Sequence, residues 1–154
     1  MTAAPFPSGR PNWMPLCARL GLALVFLFFG QEKLFNPELW VIYVTPSMSR
    51  VLENTGLSLL QFYHWLGALE LVLAVQLILG WSLRGAAVLI ALELAGIVAV
   101  VGLDHTGVRD LGLLLGLAVP LAFQNPDHWS LDRVWRHHAA VAYTHLTLPT
   151  NREV

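Results

Sequence analysis

Four apolar runs, at residues 16–35, 59–80, 83–103 and 107–123, are each long enough to cross a bilayer as a helix. A helical span needs roughly 17–25 residues. In hydrocarbon the backbone must satisfy its own hydrogen bonds, so only helices and closed barrels can span. The runs are continuous rather than alternating, which selects helices. The links at 81–82 and 104–106 are too short to do more than reverse the chain. Neighbouring helices must therefore run antiparallel. The predicted fold is all-α: an integral membrane four-helix up-down bundle.

Composition agrees with this reading. Of the 154 residues, 56% are hydrophobic and 12% charged, against about 25% charged in soluble domains. The net charge of -1 gives no basic surface for nucleic acid. Cys17 is the only cysteine, which excludes an internal disulfide and a C-x-x-C redox pair. Arg10 and Arg19 precede the first run, as in a signal peptide. Gln31, Glu32 and Lys33 follow it with no small-x-small cleavage site, so the run is expected to be a retained helix.

Four spans place both ends of the bundle on one side. Arg10, Arg19, Arg84, Arg133 and Arg136 collect there, against Lys33, Arg50 and Arg109 on the other side. The positive-inside rule then makes both termini cytoplasmic, in a bacterial or archaeal cytoplasmic membrane. Trp13, Trp65, Trp81 and Trp129 fall near span ends, where interfacial anchors sit. The longest link, 36–58, lies on the outer side. Thr45-Pro46 can start a helix there, and Asn54 and Gly56 can end it. A short outer interfacial helix is expected between the first two spans. Residues 39–44 read equally as strand or as helix extension. The organisation is an N-terminal cytoplasmic tail over 1–15, a membrane domain over 16–136 and a tail over 137–154. Within that tail, Y-T-H-L-T-L-P-T at 143–150 resembles a translated transposon-type sequencing adaptor, so residues from about 143 are expected to be non-native.

Two lone glutamates, Glu70 and Glu93, stand near the midpoints of the second and third runs. A charge at that depth costs about 2.5–3.5 kcal/mol on insertion scales, so such residues are retained for function or for helix association. At 100° per residue, Tyr63, Gly67, Glu70, Ala74 and Leu77 share one face. Ala86, Leu89, Glu93, Gly96 and Val100 share another, and Arg109, Gly112, Gly116 and Pro120 a third. Gly112-x-x-x-Gly116 is a small-residue pattern for close backbone approach. These faces are expected to point into the bundle. Lys33, His64, Arg109 and Asp110 lie at outer helix ends, so with Glu70 and Glu93 they predict a buried polar site opening outward. Buried carboxyl groups are protonated or paired with a cation. The fork of Arg109 favours it over Lys33 as the partner of Glu70, leaving Glu93 neutral or linked to water. The alternative is that these groups only fix helix register. His64 and His105 could move protons, but interfacial hydrogen bonding explains them as well. No spacing suits a metal, haem, iron–sulfur or flavin site.

The run G-L-A-L-V-F-L-F-F-G-Q-E-K-L-F at 21–35 resembles the first helix of DoxX-like membrane proteins. L-G-A-L-E at 66–70, continuing to Leu79-Gly80, resembles that family's second helix. V-R-D-L-G at 108–112 resembles the opening of its fourth helix, and S-L-D at 130–132 its closing motif. Lys33, Glu70, Arg109, Asp110 and Asp132 carry over; Glu93 does not. The resemblance implies a four-helix membrane protein associated with oxidoreductase complexes, some of them quinone-reducing. The expected role is thus an accessory membrane subunit of a redox complex that interacts with a quinone, its electron donor being a partner protein. A non-enzymatic scaffold or assembly factor stays open, as does a small proton-linked transporter. The sparse polar residues of the inner half, chiefly Gln76, argue against transport.

Overall fold

A computed structural model describes residues 13–124 and 130–133. Helix α1 spans Met14–Phe35, α2 Pro46–Thr55, α3 Leu59–Leu79 and α4 Leu83–Val101. Helix α5 spans His105–Phe123. All but α2 are long and apolar enough to cross a membrane, and no strand occurs among the described residues. The all-α membrane bundle is thus as the sequence predicts. The ambiguous stretch after α1 is neither strand nor α-helix but a 3-10 helix, Pro37–Tyr43. The tails at 1–12 and 134–154, Trp129 and the adaptor-like segment lie outside the described residues.

The helix boundaries have local causes. Ser58 accepts from the Gln61 N–H at 3.2 Å, and its own N–H donates back to the Gln61 side chain at 3.0 Å. This reciprocal pair satisfies two amides that a helix start leaves open. Asp104 accepts from the Gly107 N–H at 2.8 Å and caps α5. Thr45 starts α2, and Gly56, at φ 73°, ends it. Inside α5, Pro120 has no N–H and would crowd the carbonyl one turn earlier. The helix widens to a π-turn at Leu114–Ala118, just before that proline.

The remaining cap is long-range. Gly80 ends α3 at φ 68° and Ser82 begins α4 at φ 51°, an uncommon conformation for a non-glycine residue. Asp132 holds this turn. Its carboxylate accepts from the Ser82 N–H at 2.7 Å and the Leu83 N–H at 2.8 Å. Its own N–H donates to the Gly80 carbonyl at 3.1 Å. The S-L-D motif therefore supplies the N-terminal cap that α4 lacks. Arg19 and Ser130 are buried at this end, closing over Gly80.

Helix α1 packs along α3, and α4 along α5. The closest approach is at Gly30 and Gly67. A Cβ on Gly67 would stand 2.7 Å from the Gly30 carbonyl oxygen and 2.8 Å from the Leu34 nitrogen. Gly112 and Gly116, expected to serve this purpose, are instead exposed, with nothing within 4 Å of an added Cβ. The expected inward face of α4 is only partly the packed one: Ala86 is buried and Glu93, Gly96 and Val100 line a cavity, but Leu89 is exposed. The buried stripe of the helix is Leu83, Ala86, Ala87, Ile90 and Leu94, while Leu89 and Val100 are exposed. Residues such as Leu24, Phe28, Leu92 and Leu115 point outward, as lipid-facing side chains do.

The bundle has two unlike halves. Leu22, Ala23, Phe26, Leu73, Ala74, Leu77, Ile90 and Leu121 form the packed core at the end carrying the α3–α4 turn. The other half, towards Phe35, Leu59 and His105, encloses a cavity. Lipid is as apolar as leucine, so packing rather than water exclusion holds such helices together. Gly67→Ala should therefore force α1 from α3 and destabilise the bundle by about 1–3 kcal/mol. Gly112→Ala and Gly116→Ala should be close to neutral. Reversible unfolding in bicelles measures all three, and equal effects would place the close approach elsewhere.

Candidate functional site

The cavity encloses about 310 Å³. Its wall is largely apolar and aromatic, with Phe29, Trp40, Tyr43, Phe62 and Tyr63 among its residues. Five ionisable side chains also line it: Lys33, Glu70, Glu93, Arg109 and Asp110. The structure thus gathers five of the six predicted site residues. His64 is the exception. It is exposed, does not line the cavity, and its Nδ1–H donates to the Leu60 carbonyl at 2.7 Å within its own helix. His105 is exposed as well.

The partner of Glu70 is Lys33, not Arg109. Lys33 Nζ donates to Glu70 Oε1, and both side chains are almost wholly buried. Lys33 lies three residues after Gly30, and Glu70 three after Gly67. On a helix that interval is one turn along the same face. The glycine contact therefore brings the ammonium directly to the carboxylate. Arg109 finds an acid nearer home, its Nε–H donating to Asp110 Oδ1 at 2.7 Å. Asp110 is buried, whereas the Arg109 side chain is 42% exposed.

Aromatic rings join the two pairs. Lys33 Nζ stands 4.4 Å from the centre of the Trp40 ring, and the Arg109 guanidinium 4.6 Å from that of Phe29. Phe29 and Trp40 meet edge to face at 5.6 Å, and Tyr43 lies 5.7 Å from Trp40. Cation–π contacts gain strength when desolvated. Trp40 and Tyr43 come from the 3-10 helix, which closes this end of the cavity. A second recess of about 210 Å³ shares Phe29, Trp40, Tyr43, Thr106 and Arg109 with the cavity and adds Glu32. Arg109 thus lines both the recess that holds Glu32 and the cavity that holds Lys33 and Glu70.

Glu93 has no ion-pair partner among the described residues. Its buried carboxyl group stands within hydrogen-bonding reach of the Glu70 carboxyl group, and apart from a proton shared there its oxygens find no donor; Lys33 and Asp110 stand nearby. Glu70 Oε2 and Asp110 Oδ2 are likewise buried and find no N–H donor, and Trp40 Nε1 is buried without a partner. Sequence reasoning missed Trp40 and Tyr43 because the structure of residues 39–44 was undecided. Their spacing of three, directly after the helix bearing Lys33, was the available signal. It also missed the burial of Arg19 at the opposite end.

Known proteins resemble this chain in the same terms. An uncharacterized membrane protein of Mycobacterium tuberculosis is 29% identical, the match covering 82% of this chain and 90% of that protein. No solved structure matches this chain. The DoxX family model matches residues 14–103, which takes in α1 to α4 and both mid-helix glutamates but stops before Arg109 and Asp132. With that match over more than half its length and four apolar helices to fit it, this chain belongs to the DoxX family.

Proposed function

We propose that this protein is an accessory membrane subunit of a redox complex, holding a quinone headgroup in the cavity between α1, α3, α4 and α5. The observation that carries the reading is a mostly apolar, aromatic slot containing buried polar atoms that have no protein partner. A quinone, when bound, would supply two-electron, two-proton chemistry, the electrons coming from a partner protein. Trp40 Nε1–H would donate to a headgroup oxygen. Glu93, free of any ion pair, would hold or pass a proton. Tyr63, Phe62 and Phe29 would pack the ring. The protein would lie in a bacterial or archaeal cytoplasmic membrane, with both termini cytoplasmic and the cavity facing outward. The arginines at the α3–α4 end support this orientation.

One observation favours a second reading, a non-enzymatic scaffold. The Lys33–Glu70 pair fastens α1 to α3 and needs no ligand to do so.

Four measurements test these readings. A reporter inserted near Asn54 should be exported and one fused after Arg136 should stay cytoplasmic; the opposite result would turn the cavity inward. Short-chain quinone should bind saturably to the protein in nanodiscs, and Trp40→Phe should weaken it several-fold. Glu93→Gln should fold and assemble normally yet slow quinone-linked turnover of the intact complex. Absence of saturable binding, with unchanged turnover in Glu93→Gln, would favour the scaffold. Finally, Lys33→Met and Glu70→Gln should each destabilise by about 3–5 kcal/mol, since each strands a buried charge or breaks its pairing. The double variant should cost less than the sum. Arg109→Leu combined with Glu70→Gln should be nearly additive, and strong coupling there would contradict the observed pairing.

A further inference from the structure

Folded proteins leave few buried polar atoms without partners. Here several meet at one place. Glu70 Oε2, both oxygens of Glu93 and Asp110 Oδ2 are buried and receive no hydrogen bond from an N–H donor, and all three residues line the cavity. Glu70 and Asp110 are themselves only 3% and 2% exposed, so this is no solvated acidic patch. The basic groups of the wall are already engaged. Lys33 is held by Glu70 and lies over Trp40, and Arg109 is held by Asp110 and lies over Phe29. Three carboxyl groups thus meet two cations. A proton shared between the adjacent Glu93 and Glu70 carboxyl groups satisfies one oxygen of each and leaves the remaining oxygens, Asp110 Oδ2 among them, as acceptors. The indole N–H of Trp40 is the buried donor of the wall with no partner at all, while Lys33 keeps two N–H bonds beyond the one it gives to Glu70. The cavity therefore carries a surplus of hydrogen-bond acceptors inside an apolar shell.

A ligand that only accepts cannot satisfy these oxygens, and its arrival removes the water that could. A site whose buried polar groups stay unpaired discriminates strongly against the ligand that leaves them so. We infer that the cavity selects amphiphiles whose head donates hydrogen bonds to the carboxyl groups of Glu93 and Glu70, over molecules of the same shape that only accept. This rests on the binding role proposed above and names the form of ligand: a hydroxyl-bearing head, as in a phenol or a reduced quinone, or an amine. A hydroxyl can use both kinds of unpartnered group, its proton going to a carboxyl oxygen and its lone pair to Trp40 Nε1–H. An ammonium uses the acceptors and balances the extra carboxyl group, with aromatic rings around it.

The test compares matched probes on the full chain in nanodiscs, with partition into empty nanodiscs subtracted. The probes are an alkylphenol, its O-methyl ether, the corresponding alkylamine, and a quinone in its oxidised and anaerobically reduced forms. The phenol should bind at least roughly tenfold tighter than its ether, and the reduced quinone tighter than the oxidised one. Glu93→Gln, which replaces an acceptor by an amide that can itself donate, should shrink the phenol-to-ether ratio several-fold while circular dichroism stays unchanged. The tighter of phenol and amine identifies the head. If the oxidised quinone binds but the ether matches the phenol, the donor selection is wrong and the binding role survives. Failure of every probe to bind saturably overturns both.

Discussion

The contact between Lys33 and Glu70 sets the layout of this molecule. It joins α1 to α3 in a region of low dielectric, where a lone charge is far costlier than a pair. Such a contact demands that two backbones come close enough for side chains on adjacent turns to meet. Gly30 and Gly67 provide that approach, each one turn before its charged residue. The glycine pair and the ion pair are therefore one device. Backbone proximity selects the partner, and the partner then holds the helices at that register.

From this device the bundle diverges in two directions. Towards the α3–α4 turn, leucine, alanine and isoleucine side chains interlock, and Asp132 ties residues 130–133 to the start of α4. Towards the other end the side chains are aromatic or charged and leave a cavity between them. A protein need not be uniformly stable, and ligand sites are drawn from the less packed regions. The bundle thus combines a packed end with a hollow one.

The charged groups of the cavity are not equivalent. Glu70 is neutralised by its lysine and contributes mainly to assembly. Asp110 is engaged by the neighbouring Arg109. Glu93 is the carboxyl group with no such commitment among the described residues, which makes it the group best placed to act on a ligand. The exposed side of Arg109 lies where the inner cavity meets the outer recess. Position in the network, rather than residue type, thus separates the ion-paired carboxylates from Glu93.

The sequence by itself determined the number of helices, their alternation, the short helix of the longest link and the five acidic and basic groups of the cavity. These follow from hydrophobic run length, from capping chemistry and from the cost of charge in a bilayer, all of which are local. The facing of α3 was also legible, since Tyr63, Gly67, Glu70, Ala74 and Leu77 are all buried. The tertiary structure decided what depends on distance between helices. It chose Lys33 over Arg109 and the Gly30–Gly67 approach over Gly112 and Gly116. It turned Leu89 of α4 outward and left His64 off the cavity wall. It also folded Trp40 and Tyr43 over the cavity and brought Asp132 to a helix fifty positions earlier in the chain. Each of these is a choice between partners of similar local chemistry, and only the packed geometry of the bundle distinguishes them.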